Sequence, residues 1–134
     1  MIRLAAILVC LALASCGTAP AEESRSVDLG VEVTLGPGAA ASVKSTPMKV
    51  RFIAVTEDSR CPRDVTCIWA GEVKAQIEIL ESGQPATKVE LLLGGSTVAN
   101  ACRVTLVRVE PQPASTAKIA SQDYRATLKI DKAG

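Results

Sequence analysis

Cys61 and Cys67, in Cys-Pro-Arg-Asp-Val-Thr-Cys, place two sulfurs with five residues between them within a stretch that runs from Asp58 to Gly71. In an oxidising compartment such a pair can close a disulfide. Pro62 limits the backbone just after the first sulfur, and a loop of this length between neighbouring strands can bring the two Cα atoms to bridging distance. Closing a seven-residue ring would remove about 2.4 kcal/mol of unfolded-state entropy on the chain-entropy account. The competing chemistry is a dithiol switch. The spacing is not C-x-x-C, however, and no His or Lys adjoins either sulfur to lower a thiol pKa. A structural bridge is therefore the expectation, with a link from Cys102 to one of the pair as the other arrangement. An unpaired Cys102, in Ala-Asn-Ala-Cys-Arg, reads as a buried apolar thiol at the start of a strand, with a reactive thiol as the lesser reading.

The same stretch holds the only Trp of the chain. Trp69 follows Cys67 by two positions, so on an extended backbone both side chains face one way. In a sequence this poor in aromatics the indole is expected to pack over the disulfide and close one end of the fold. An exposed indole serving as a ligand platform is the alternative. Glu57, Asp58, Asp64 and Glu72 could supply oxygen ligands to Ca²⁺. They lack the D-x-D-x-D-G order, and Arg60 and Arg63 lie among them, so neither a metal nor another cofactor is expected. The expected roles are local: Asp58 or Ser59 bonds backbone N–H groups of the turn, and Arg60 pairs with a neighbouring carboxylate. Gly71 lets the chain turn tightly into the next strand.

Asp58-Ser59-Arg60-Cys61-Pro62, then four residues, Cys67, one residue, Trp69, one residue and Gly71 resembles the signature of a group of small, uncharacterised bacterial lipoproteins and secreted proteins, D-S-R-C-P-x4-C-x-W-x-G. The motif covers about a tenth of the chain. The resemblance implies a shared β-domain with a bridged loop and supplies no catalytic residues. Cys102 lies outside the signature.

The amino terminus bears on compartment. Met1-Ile2-Arg3 gives one positive charge, Leu4 to Leu13 is unbroken apolar sequence, and Leu13-Ala14-Ser15-Cys16 follows. A charged start, a short apolar core and small residues before a cut form a secretory signal, too short to span a membrane as a mature helix. The last four residues resemble the lipobox of bacterial lipoproteins, which implies cleavage before Cys16 and acylation of that residue. Several acyl chains on one residue exceed the two-signal threshold for stable attachment. Gly17 after Cys16 is not Asp, which resembles the outer-membrane sorting pattern of Gram-negative bacteria. The expected location is thus the bacterial cell envelope, on the outer membrane facing the periplasm. Gly17 to Ser26 has no apolar periodicity and reads as a flexible tether.

Composition removes several function classes. Without Arg3, 14 cationic side chains face 14 carboxylates, which argues against a nucleic-acid binder. There is no histidine, the commonest general base near neutral pH. No nucleophile elbow, S-x-x-K or phosphate-loop pattern is present. Stacking platforms for bases or sugars are nearly absent, with one Phe, one Trp and one Tyr.

The elements that must position the loop read as strands. Val27 to Leu35 alternates cleanly, with Val27, Leu29, Val31, Val33 and Leu35 on one face. Ala41 to Lys44 reads as a short strand. Met48 to Glu57 is stronger, although Ile53 and Val55 fall on its charged face, which calls for cover on both sides or a bulge. Glu72 to Leu80 follows the loop, and after the Ser82–Pro85 turn Thr87 to Leu93 pairs back as a hairpin. Arg103 to Val109 and Tyr124 to Ile130 complete about seven strands with no convincing helical period. The expected fold is all-β, a single antiparallel β-sandwich of immunoglobulin-like size over 27–134, after a signal peptide at 1–15 and a lipidated Cys and tether at 16–26.

These readings lead to a non-catalytic, lipid-anchored envelope lipoprotein that acts as a binding or structural module. Its expected partners are the membrane, through Cys16, and an envelope protein, with Asp58, Ser59, Arg60, Pro62, Arg63, Trp69 and Gly71 as the contact loop. The alternative is an inhibitor of an envelope hydrolase. A closed loop displaying Arg60, Pro62 and Arg63 resembles the preorganised segments that small proteins offer to hydrolase clefts.

Overall fold

The computed structural model describes Gly17 and residues 25–134. The expected signal peptide at 1–15, the expected lipidation at Cys16 and residues 18–24 of the tether lie outside the described residues. Nine strands are present among those described: β1 (Arg25–Val27), β2 (Glu32–Leu35), β3 (Ala40–Val43), β4 (Met48–Asp58), β5 (Val73–Glu81), β6 (Thr87–Leu92), β7 (Ser96–Ala99), β8 (Cys102–Glu110) and β9 (Arg125–Lys132). The only helical element described is a single 3₁₀ turn, Ser121–Asp123. The strands form two packed sheets, ordered β1-β3-β4-β5-β6 and β2-β9-β8-β7, and the fold is an all-β sandwich. Every neighbouring pair is antiparallel except β1 and β3, which run parallel.

The core follows from the alternation. Met48, Val50 and Phe52 of β4 point inward with Val73, Ala75, Ile77 and Ile79 of β5, and they meet Val104 and Leu106 of β8 and Ala126, Leu128 and Ile130 of β9. Each large aliphatic or aromatic side chain removed from water in this way stabilises the fold by about 1.5–3 kcal/mol. The phase problem in β4 is resolved by bulges: register slips occur between Phe52 and Ala54 and again between Val55 and Glu57. Those extra residues let the strand keep its core face and still twist toward the loop at its end.

Three expectations are corrected. The stretch Val27 to Leu35 is not one strand. The chain turns at Asp28–Gly30, where Gly30 takes φ +82°, and passes from one sheet to the other between β1 and β2. Val31 is consequently 51% exposed, although its parity matches the buried Val27 and Val33. Strand β1 also takes in Arg25 and Ser26, which read as tether from sequence. Finally, β7 was not legible: Ser-Thr-Val-Ala lies on a sheet edge with alternate residues exposed and half-buried, so no apolar period marks it. Thr127 of the central strand β9, between the inward Ala126 and Leu128, lies on the outer face beside Thr34, and it is buried there with its hydroxyl 2.8 Å from that of Thr34.

Candidate functional site

The Asp58–Gly71 loop caps the β4–β5 hairpin. Its base continues the ladder beyond the sheet: Ser59 N–H donates to the Glu72 carbonyl at 2.7 Å, and Cys61 N–H to the Ala70 carbonyl at 3.1 Å. The Ser59 hydroxyl accepts from Glu72 N–H at 2.9 Å and also lies 3.2 Å from the Glu72 carbonyl, which ties the two sides again. Gly71 sits at φ +73°, and a Cβ there would fall on the Ser59 carbonyl, so only glycine lets the two chains pass this closely. Cys61 and Cys67 form a disulfide, with their Cα atoms 5.9 Å apart. Cys102 is free, buried, and placed at the start of β8, as its sequence context implied.

Beneath the loop lies a polar network. Arg60 donates from Nε and Nη2 to the two Asp58 carboxylate oxygens, each at 2.8 Å, in a bidentate pair. Its Nη1 reaches the Val109 carbonyl at 2.8 Å, and Nη2 also reaches Pro111 at 3.0 Å. The Tyr124 hydroxyl donates to Asp58 Oδ2 at 2.8 Å, and the Arg60 backbone N–H lies 3.3 Å from Oδ1. The Arg60 and Asp58 side chains are only 9% and 11% exposed. Burial pushes the Asp58 carboxyl pKa up, but the hydrogen bonds from Arg60 and Tyr124 and the guanidinium charge outweigh it and hold the group below its usual value. Burial, with the hydrogen bond to Asp58 and that carboxylate's charge, pushes the Tyr124 phenol up to about 12. One further tie, Arg63 N–H to the Pro113 carbonyl at 3.0 Å, joins the loop to the connection between β8 and β9.

This network corrects two expectations. Arg60 is not displayed; its guanidinium is turned inward and makes four hydrogen bonds within the domain. Trp69 does not pack over the disulfide: it is 82% exposed, beside Ile68 at 93% and Val65 at 43%. The physical reason is that the sandwich end is already filled by Asp58, Arg60, Tyr124 and the buried Pro113. The loop closes on its own ladder and disulfide, and the indole stays outside. The expected pairing of Arg60 with a nearby carboxylate and the turn bonds of Asp58 and Ser59 are present. Sequence reading missed the part of Tyr124 and the β8–β9 connection, which are separated from the loop by some fifty residues and carry no local motif.

A cleft of about 380 Å³ opens beside the network, between the end of β4, Pro62 and the 113–121 segment. Lys118, Ser115, Thr116, Ser121 and Glu57 are among the residues that line it. Among the described residues no group of three or more His, Cys, Asp or Glu gathers as metal ligands would. What the arrangement offers chemically is a rigid mount for an apolar tip. No protein-family model, curated protein or solved structure matches the chain.

Proposed function

We propose that this chain is a non-catalytic lipoprotein of the bacterial cell envelope, held by lipid on Cys16 with its domain in the periplasm. It acts as a binding module whose contact surface is the tip of the Asp58–Gly71 loop. The observation that carries this reading is the exposure of Ile68 and Trp69 on a loop fixed from both sides, by the disulfide and by Arg60. A soluble domain gains by hiding its one indole, and a loop that spends a disulfide and a buried ion pair to keep it outside has a partner to meet. Rigidity lowers the ordering cost of that meeting. The lipobox, the signal sequence and the absence of histidine support the rest.

The inhibitor reading needs a different set of residues from the one the sequence pointed to. With Arg60 turned inward, Pro62 and the exposed run from Arg63 to Trp69 are what could enter a hydrolase cleft.

The test is a photo-cross-linking side chain placed at position 68 of the full chain, expressed in a bacterial envelope, with the same group at Lys88 on the exposed face of β6 as control. Adducts to an envelope component at 68 and not at 88 are expected. Equal labelling at both positions, or none at 68, sinks the proposal. Cys16→Ser is expected to release the protein from the membrane fraction.

A further inference from the structure

We infer that Val65, Ile68 and Trp69 dip into the bilayer on which the protein is anchored, giving the domain a second attachment and a fixed orientation. The inference rests on the anchored reading above and names what its contact surface meets: a phospholipid interface.

The tip has the right composition. Three exposed apolar side chains fall within five residues, one of them an indole. Trp favours the headgroup level of a membrane, where its ring is buried and its N–H stays near polar groups, and a neighbouring Ile adds purely apolar area. Nearby charges are mixed, with Arg63 against Asp64 and Glu72, so insertion would be driven by apolar contact and not by attraction to anionic lipid.

Topology puts the tip on the correct side. Arg25 pairs with Ala41, and Ala41 with Val50, so the start of β1 is level with the early part of β4. Strand β1 runs opposite to β4, so the chain enters it from the side on which β4 ends and the loop begins. From Val50 to Asp58 the bulged strand runs opposite six residues of β5, Ile79 to Val73, about 20 Å along the sheet. From Cys16 to Arg25 is nine residues, which extend to about 30 Å at most. Acyl chains on Cys16 can therefore enter a bilayer whose surface is level with Asp58. The hairpin ladder continues past Asp58 through Ser59–Glu72 and Cys61–Ala70. The tip beyond it then falls at the depth of about 5–10 Å that interfacial apolar groups occupy. A β1 of opposite direction would have sent the tether to the far end of the sandwich.

Trp69, as the only Trp, reports on its own insertion. The mature lipidated protein is reconstituted into phosphatidylethanolamine vesicles carrying acyl-brominated lipid. Expected are bromolipid quenching of Trp69, loss of most acrylamide quenching, and a blue shift relative to the unlipidated Cys16→Ser protein in buffer. Added salt should leave all three unchanged, and Ile68→Ser, with the disulfide intact, should reduce bromolipid quenching. Acrylamide quenching as efficient on vesicles as in buffer, with acylated Cys16 confirmed by mass spectrometry and the protein floating with the vesicles, overturns this inference alone. A protein that bears no acyl group and does not float removes the anchored reading and this inference with it. Shielding of Trp69 that appears only after envelope proteins are added overturns it in favour of a protein partner.

Discussion

Asp58 accepts hydrogen bonds from two side chains and one backbone N–H, and every one of them joins a different stretch of chain to the loop or closes the loop on itself. Removing Arg60 would leave that carboxylate without its charge partner and would remove the guanidinium bonds to the Val109 and Pro111 carbonyls. Arg60→Ala is expected to cost about 3 kcal/mol, at the lower end for breaking a buried pair because some solvent reaches it, read from the urea midpoint. Tyr124→Phe loses one bond to a charged group and should cost about 1.5–2 kcal/mol. The two residues also set opposite pH limits. The Asp58 pKa is lowered on folding from 3.8, so its contribution is present above that value and is lost as pH falls through the folded value. The Tyr124 pKa rises from 10.0 to about 12, so its contribution is intact below 10 and lost as pH rises between the two. Unfolding free energies measured across both ranges should show the alkaline slope diminish in Tyr124→Phe and the acid slope diminish in Asp58→Asn.

At the scale of elements, the loop depends on its base more than on its bridge. Cys61→Ser with Cys67→Ser should lower stability by about 2.4 kcal/mol through the unfolded chain, with the sheets unchanged. Gly71→Ala adds about 1–2 kcal/mol of left-handed backbone strain to a collision with the Ser59 carbonyl. It should therefore spread the Ser59–Glu72 ladder, and amide exchange at Ser59 and Cys61 would report this. Retained protection of both amides would contradict it. Much of this was legible in the sequence. Alternating apolar residues marked β4, β5, β6, β8 and β9, and the irregular parity of Ile53 and Val55 called for cover on both sides or a bulge, of which the bulge is present. The break between β1 and β2 was hidden because an odd–even pattern can continue across a turn that changes sheets, and Gly30 alone did not betray it. The position of Trp69 was also hidden, since burial depends on whether a vacancy exists beneath the residue. That vacancy was taken by Tyr124, far along the chain.

For the whole molecule, the two sheets and the loop answer to different probes. Trp69 is solvated in the native domain, so the emission of the unlipidated Cys16→Ser protein in urea should shift little while far-ultraviolet circular dichroism reports the collapse of the sheets. Cys102 is 3% exposed, so its thiol should react with an aromatic disulfide reagent only as the domain unfolds. A thiol that reacts at once in buffer would show that the β8 end of the sandwich opens. The same architecture governs how a pull from the amino terminus is resisted. Strand β1 is short and joins β3 by three residue pairs in parallel. Tension arriving from the loop side is directed along its own axis. The pairings then slide against one another together instead of peeling one at a time, so in the tethered molecule proposed above drag would meet the three-residue β1, the shortest of the described strands, in the direction in which it holds hardest.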